Sequence, residues 1–412
     1  MVQVILYVIV AVLLLEYLLE LFLGLLNARQ RKSELPSEVN DVYNEERYRK
    51  YIAYDRINHR FSILTSTFNT LIILAMVLTG GFAIVDHYVA EISSHPIWNA
   101  LLFFAVLMLA SDIINTPFSV YDTFHIEEKF GFNRTTVKTF ILDKIKGWFI
   151  AGLLGGLILA FIIWFYLQAP NYFWLYAWIL ISVFSIFMTA FYTSLILPLF
   201  NKLTPMENGE LKEKIMNFGR EAGFSIKNVY IIDGSKRSTK ANAFFSGLGK
   251  QKKIVLFDTL LDKLSGDEIV AVLAHEIGHY KKKHTLGNVA FSILQTGLML
   301  YILGLFVSLP AFSKALGAET AKFHLGLLAF SILYSPISMI IGLLGNIYSR
   351  QNEYQADAYA TGFGLGNSLI DSLKKLSVNN LSNLNPHPLY VFFHYSHPPL
   401  IKRIRAIKAL ER

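Results

Sequence analysis

Seven stretches of this chain are long and apolar enough to cross a bilayer, at roughly 3–26, 61–86, 97–120, 148–168, 174–200, 286–312 and 323–348. A crossing takes about 20 mostly apolar residues, and in lipid every backbone N–H and C=O must be bonded within the protein. Each stretch is therefore expected to be a helix. One such run could be a buried core helix of a soluble protein, but seven in 412 residues point to a polytopic membrane protein. The balance of residues agrees, since only 17% are charged against about 25% in soluble domains. The first run has no basic leader and no small-residue cleavage site, so it reads as a span rather than a cleavable signal. Its Glu16 and Glu20 are expected near a membrane surface or facing protein.

Basic residues orient the chain. The 27–60 connection carries Arg29, Arg31, Lys32, Arg47, Arg49, Lys50, Arg56 and Arg60, and the 121–147 connection carries Lys129, Arg134, Lys138, Lys144 and Lys146. The 87–96 and 169–173 connections carry no Lys or Arg, although 313–322 has Lys314 and Lys322. The positive-inside rule then puts the N-terminus outside and the C-terminus and large polar parts in the cytoplasm. These loops account for the net charge of +8. No basic stripe interleaves with aromatics on a soluble domain, so nucleic acid is not an expected partner. With no cysteine, disulfides and thiolate ligands are excluded, and any metal must rest on His, Asp or Glu.

The expected organisation alternates membrane and polar parts. Residues 1–200 hold spans one to five, 201–285 form a first polar segment, 286–348 hold spans six and seven, and 349–412 form a second polar segment. In the first polar segment, Pro205 ends the fifth span and 209–222 reads as an amphipathic helix closed by Gly223. The runs 229–232 and 254–257 read as strands, with Asn242 to Phe245 and the turn residues Ser246-Gly247 between them. Ser265 with Glu268 is a capping box that opens a helix, and Lys281-Lys282-Lys283 suits its C-terminal end.

That helix contains His275-Glu276-Ile277-Gly278-His279, which spells H-E-x-x-H. Positions i and i+4 share a helical face, so both imidazoles can reach one cation with Glu276 beside it. Neutral imidazoles suit Zn²⁺, and metal-activated water needs a nearby carboxylate to take its proton. A catalytic zinc site lacks one protein ligand after two histidines. Glu353, just past the seventh span on the same expected side, is the best candidate; Asp357, one turn further on, could hold a ligand ring N–H. A solvated acidic face fits this spacing equally well.

The chain resembles the type I CAAX prenyl proteases, integral-membrane zinc endopeptidases of the glutamate-ligand (gluzincin) class. The resemblance runs nearly end to end. It rests on 43–48, on Ile126 to Asn133, on Pro198 to Lys202, on Asn242 to Gly247, on His275 to Thr285, on Asn352 to Asp357, and on Ser396-His397-Pro398-Pro399-Leu400 with Arg403. It implies that His275, His279 and Glu353 ligate one Zn²⁺ per chain and that Glu276 is general base, then proton donor to the leaving amine. It implies that Asp357 and Arg403 support the ligands, that His397 stabilises the oxyanion, and that Asn242 and Ala243 lie on an edge strand that pairs with substrate. The implied fold is mainly α, with seven membrane helices forming a barrel around a chamber and a cytoplasmic zincin-like catalytic domain containing a small β-sheet. His284 fits the family pattern but receives no chemical role.

The expected function is zinc-dependent hydrolysis of peptide bonds near the C-terminus of a peptide or protein substrate, lipidated or not, at the lipid bilayer. The short loops, compared with fungal and animal members, point to a bacterial inner membrane; in a eukaryote the location would be the endoplasmic reticulum membrane. Because bacteria generally lack prenylated CAAX proteins, a quality-control protease for non-prenylated substrates is the main alternative. A seven-helix transporter is the other, with Asp112 and Pro117 in the third run as its only hints and no internal repeat to support it.

Overall fold

The computed structural model describes residues 1–31, 35–224, 226, 229–246 and 253–411. Lys32 of the first basic connection and Gly247 of the expected turn lie outside the described residues. Among the described residues seven helices can cross a membrane: Val2–Arg29, Glu45–Leu78, Pro96–Glu127, Val137–Gln168, Phe173–Phe200, His284–Phe306 and Phe323–Thr361. The protein is a multi-pass membrane protein.

Some boundaries differ from the apolar runs, each for a local reason. The second span stops at Leu78, not near 86, because Gly80 adopts a left-handed φ of 68° and a separate helix, Gly81–Ile92, follows. Gly80 sits against Gly317, where an added Cβ would lie 3.1 Å from the Gly80 Cα. The sixth span stops at Phe306, and Pro310 opens a short helix, Pro310–Ala315. The fourth begins at Val137, where the Thr136 side chain caps it by accepting from the Thr139 N–H. Lys144 is therefore helical rather than in a loop. It points at Asp112 of the third span, with both carboxylate oxygens 2.8 Å from its Nζ, while Trp148 Nε1 donates to the same carboxylate at 3.1 Å. A charged pair explains Asp112 without any transport role.

The spans enclose space. At most 17% of the most apolar window of any span is buried in protein. In a solid bundle each helix would bury a whole stripe against its neighbours; here outward faces meet lipid and inward faces line a chamber. Among the described residues, buried side chains gather in a small cluster of Leu197, Ile232 and Val255 and in two large cores. One joins Ile9, Val77, Phe82, Phe103, Phe173, Leu303 and Leu325, residues that share one end of the spans. The other lies at the opposite end and joins Tyr48, Phe130, Ile215, Leu256, Leu273 and Ile404.

The second core carries a four-stranded sheet in the order β1 (Leu203–Pro205), β2 (Val229–Ile232), β4 (Lys253–Phe257), β3 (Ala243–Ser246). β1 runs antiparallel to β2, β2 parallel to β4, and β3 antiparallel to β4. β1 falls where the sequence signalled only a helix stop. β3 is at the sheet's edge, paired on one side with β4.

The H-E-x-x-H helix, Gly266–Lys281, has its capping box in full: Ser265 Oγ accepts from the Glu268 N–H at 3.3 Å, and Glu268 Oε2 accepts from the Ser265 N–H at 2.8 Å. It lies against the seventh helix, which passes the expected membrane boundary without a break and ends at Thr361. The contact is closest at Gly278, where a Cβ would meet Tyr359 Cβ at 3.0 Å and Ala356 Cα at 3.1 Å. Both neighbours belong to a rigid helix, so they cannot yield as a flexible side-chain tip would. Gly278→Ala should force the two helices apart at a cost of about 1–3 kcal/mol and weaken metal retention. Thermal unfolding with and without added zinc checks this; an unchanged midpoint in both would show that the contact is not tight.

Candidate metal centre

Two helices build the site. His275 and His279 project from one face of the motif helix, and Glu353 comes from the seventh helix that packs on it. His275 Nε2 and His279 Nε2 are 3.1 Å apart, Glu353 Oε1 is 3.2 Å from His279 Nε2, and Glu353 Oε2 is 3.6 Å from His275 Nε2. A tetrahedral zinc with bonds of about 2.0–2.1 Å requires donor atoms about 3.3 Å from one another. The two imidazole nitrogens are close to that spacing, the Glu353 carboxylate reaches each of them through a different oxygen, and one ligand atom from each residue lies within 4.8 Å of the others. They are also the right donors, two imidazoles and a carboxylate, for a divalent metal with an open position. The residues fit the group.

The other expected residues surround this triangle. Asp357 Oδ1 is 2.9 Å from His275 Nδ1, so it can accept the proton on the nitrogen facing away from the metal position. Arg403 grips Asp357 in bidentate fashion, Nε to Oδ2 at 2.9 Å and Nη2 to Oδ1 at 2.6 Å, and its Nη1 lies 3.3 Å from Glu353 Oε2. Both residues are buried. Three carboxylates, those of Glu276, Glu353 and Asp357, thus share a site with one guanidinium, and a dication completes the charge balance.

Glu276 lines the cavity beside the metal ligands. Poor solvation pushes its carboxyl above the ordinary carboxylate range, partly opposed by the neighbouring histidines. His397 also lines the cavity, with Nδ1 2.9 Å from Glu353 Oε2 and its side chain 65% exposed. Asn242 and Ala243 contribute from the β3 side. The cavity is about 820 Å³ and is walled further by Met188, Thr189 and Tyr192 of the fifth span and Asn288 of the sixth. All nine residues singled out from the sequence therefore meet at one place.

Two residues of evident importance were not anticipated. Arg350 Nη1 donates to the Tyr395 carbonyl at 2.6 Å and the Val391 carbonyl at 3.3 Å, and Asn346 Nδ2 donates to the Phe393 carbonyl at 2.7 Å. These carbonyls lie at the end of the short helix Pro388–His394 just before His397, where the Val391 carbonyl also accepts from the Tyr395 N–H at 3.1 Å and a helix end leaves its last carbonyls without intrahelical partners. The helix that carries Glu353 thereby holds the segment that carries His397. The spacing was a usable signal, because 346, 350 and 353 share a helical face. Among the histidines given no role, His324 pairs with buried Asp86 at 2.7 Å, and His394 faces Glu20 at 3.4 Å.

The chain is similar to known proteins along nearly its whole length. Residues 25–202 match the family described as CAAX prenyl protease N-terminal, five membrane helices, and residues 205–411 match Peptidase family M48. The chain is 36% identical over 410 residues to the CAAX prenyl protease 1 homolog of Arabidopsis thaliana, covering 97% of this chain and 96% of that protein. It is 35% identical over 405 residues to CAAX prenyl protease 1 of Saccharomyces cerevisiae, covering 91% and 89%. The crystal structure of S. mikatae Ste24p superposes with a TM-score of 0.91 at 34% identity, covering 98% of each chain.

The geometry predicts how metal content responds to substitution. Glu353→Ala should leave the purified protein nearly free of zinc, whereas Arg350→Met should keep its zinc while freeing the His397 segment. Elemental analysis beside limited proteolysis of 388–399 reads both; zinc retained at the parental level in Glu353→Ala would remove Glu353 from the ligand set.

Proposed function

Because this chain belongs to peptidase family M48, it is a membrane metalloendopeptidase, and we propose that it holds one zinc ion per chain through His275, His279 and Glu353 and cuts CAAX-type substrates near their C-terminus. A zinc ion in that triangle supplies Lewis acidity towards water and the scissile carbonyl. Glu276 takes the proton of the attacking water on a carboxylate oxygen and returns it to the leaving nitrogen. His397 directs Nδ1–H at the Glu353 carboxylate, and as an imidazolium it also has Nε2–H to donate to the developing oxyanion. Asp357, with Arg403 behind it, holds the His275 ring. Asn242 and Ala243 line the cavity at the start of β3, an edge strand among the described residues, where an extended substrate backbone can add as a further strand by displacing the Asn242 side chain that accepts from the Ala243 N–H at 2.8 Å.

The polar segments 201–285 and 349–412 make up the catalytic part, and 1–200 with 286–348 make up the membrane part. With the N-terminus outside and the catalytic side cytoplasmic, a substrate lipid can stay in the apolar chamber while its peptide reaches the metal. The membrane is the inner membrane in a bacterium and the endoplasmic reticulum in a eukaryote. The observation that carries this reading is the convergence of three metal donors, Glu276 and a free strand edge on one cavity.

Purified protein should cleave a farnesylated CAAX peptide, lose that activity to a chelator, and regain it with zinc. Glu276→Gln should lower the rate by at least about 100-fold with zinc still bound. Full activity in that variant refutes the role of Glu276. Equal cleavage of an unfarnesylated peptide would assign the enzyme to non-prenylated substrates.

A further inference from the structure

The outer nitrogen of His279 faces a third histidine. His284, which opens the sixth span, is 3% exposed, with Nδ1 3.0 Å from His279 Nδ1 and Nε2 3.3 Å from Gln355 Oε1. On an unbroken helix, position 284 would point about 140° round from 279. The backbone breaks instead at Lys283, a non-glycine residue at φ 60°, and the break turns His284 back onto the motif. A left-handed lysine is uncommon and disfavoured, so the contact is built at a conformational cost.

Hydrogen-bond logic places every proton in this row. His279 presents Nε2 to His275 and Glu353, so a metal there takes the Nε2 lone pair and the proton stays on Nδ1. His279 Nδ1–H then donates to His284 Nδ1, which must be bare. His284 carries its proton on Nε2 and donates it to the amide oxygen of Gln355, which only accepts. We infer that His284 and Gln355 are positioning residues that fix the tautomer and ring orientation of His279, an inference that rests on the metal site proposed above. The two ligating imidazoles are thus held by different chemistry: His275 by the Asp357 carboxylate, His279 by a neutral relay. A carboxylate in place of the relay would add a buried negative charge to a set already balanced by Arg403 and a dication.

The test uses the full chain in detergent and reads zinc affinity by competition with a chromophoric chelator, beside thermal unfolding of the zinc-free protein. His284→Leu and Gln355→Leu should each weaken zinc binding about 10- to 100-fold, with zinc-free midpoints at the parent value. His284→Asn, whose amide oxygen can accept from His279 in place of Nδ1, should stay close to parental affinity. Parental zinc affinity in both leucine variants overturns the inference, and so does a zinc-free destabilisation large enough to account for the loss. If His284→Leu does not fold, Gln355→Leu decides alone. His275→Ala is the control that separates the two ideas: parental affinity there would mean the metal-site reading has failed, not the relay.

Discussion

Two imidazole nitrogens 3.1 Å apart, with a carboxylate oxygen 3.2 Å from one of them, form a cluster of donors that one cation can share. The surrounding structure is arranged for that condition. Gly278 lets the two helices that supply the donors approach within van der Waals contact. Asp357 and Arg403 orient one imidazole from behind, and Arg403 also steadies Glu353. The same helix that offers Glu353 reaches out through Asn346 and Arg350 to hold the His397 segment. Glu353, Asp357 and the His397 segment are thus tied to one continuous helix that runs from the membrane spans into the polar domain.

The membrane part obeys a different demand. Helices in lipid gain little from burying apolar faces against one another, because lipid is as apolar as leucine. The spans can therefore stand apart around a chamber, provided each end is sealed. The two hydrophobic cores do this, one at the Phe103 and Phe173 end and one beneath the sheet. Polar groups inside the spans are paired locally: Asp112 with Lys144, Tyr17 with Thr67 at 2.8 Å, Asn69 with Asn115 at 3.0 Å. Catalytic charges then face a wet cavity rather than acyl chains.

Much of this was legible in residue order. Apolar length foretold seven crossings because lipid thickness sets helix length. The capping box at Ser265 and the i, i+4 histidines are local features whose geometry follows from helix pitch. Boundaries were less legible where long-range contact set them: the break at Gly80 depends on Gly317, more than 200 positions away. β1 escaped notice because three residues carry too little pattern, and Lys144 looked like a loop cation until its partner on another helix was in view.

Residue order alone established a membrane-embedded chain with a helix able to present two imidazoles and a carboxylate to one cation, since these follow from bilayer thickness and helical periodicity. It left open whether Glu353 stood beside the imidazoles or on a solvated face, gave His284 no chemical role, and was silent on Gln355, Arg350 and Asn346. Folding brought each of these side chains to its partner, 40 or more positions away, and which partner it meets depends on how the helices pack. The grouping of His275, His279 and Glu353, the neutral relay behind His279 and the cavity that joins β3 to the spans exist only once the motif helix, the seventh helix and the sheet have packed together.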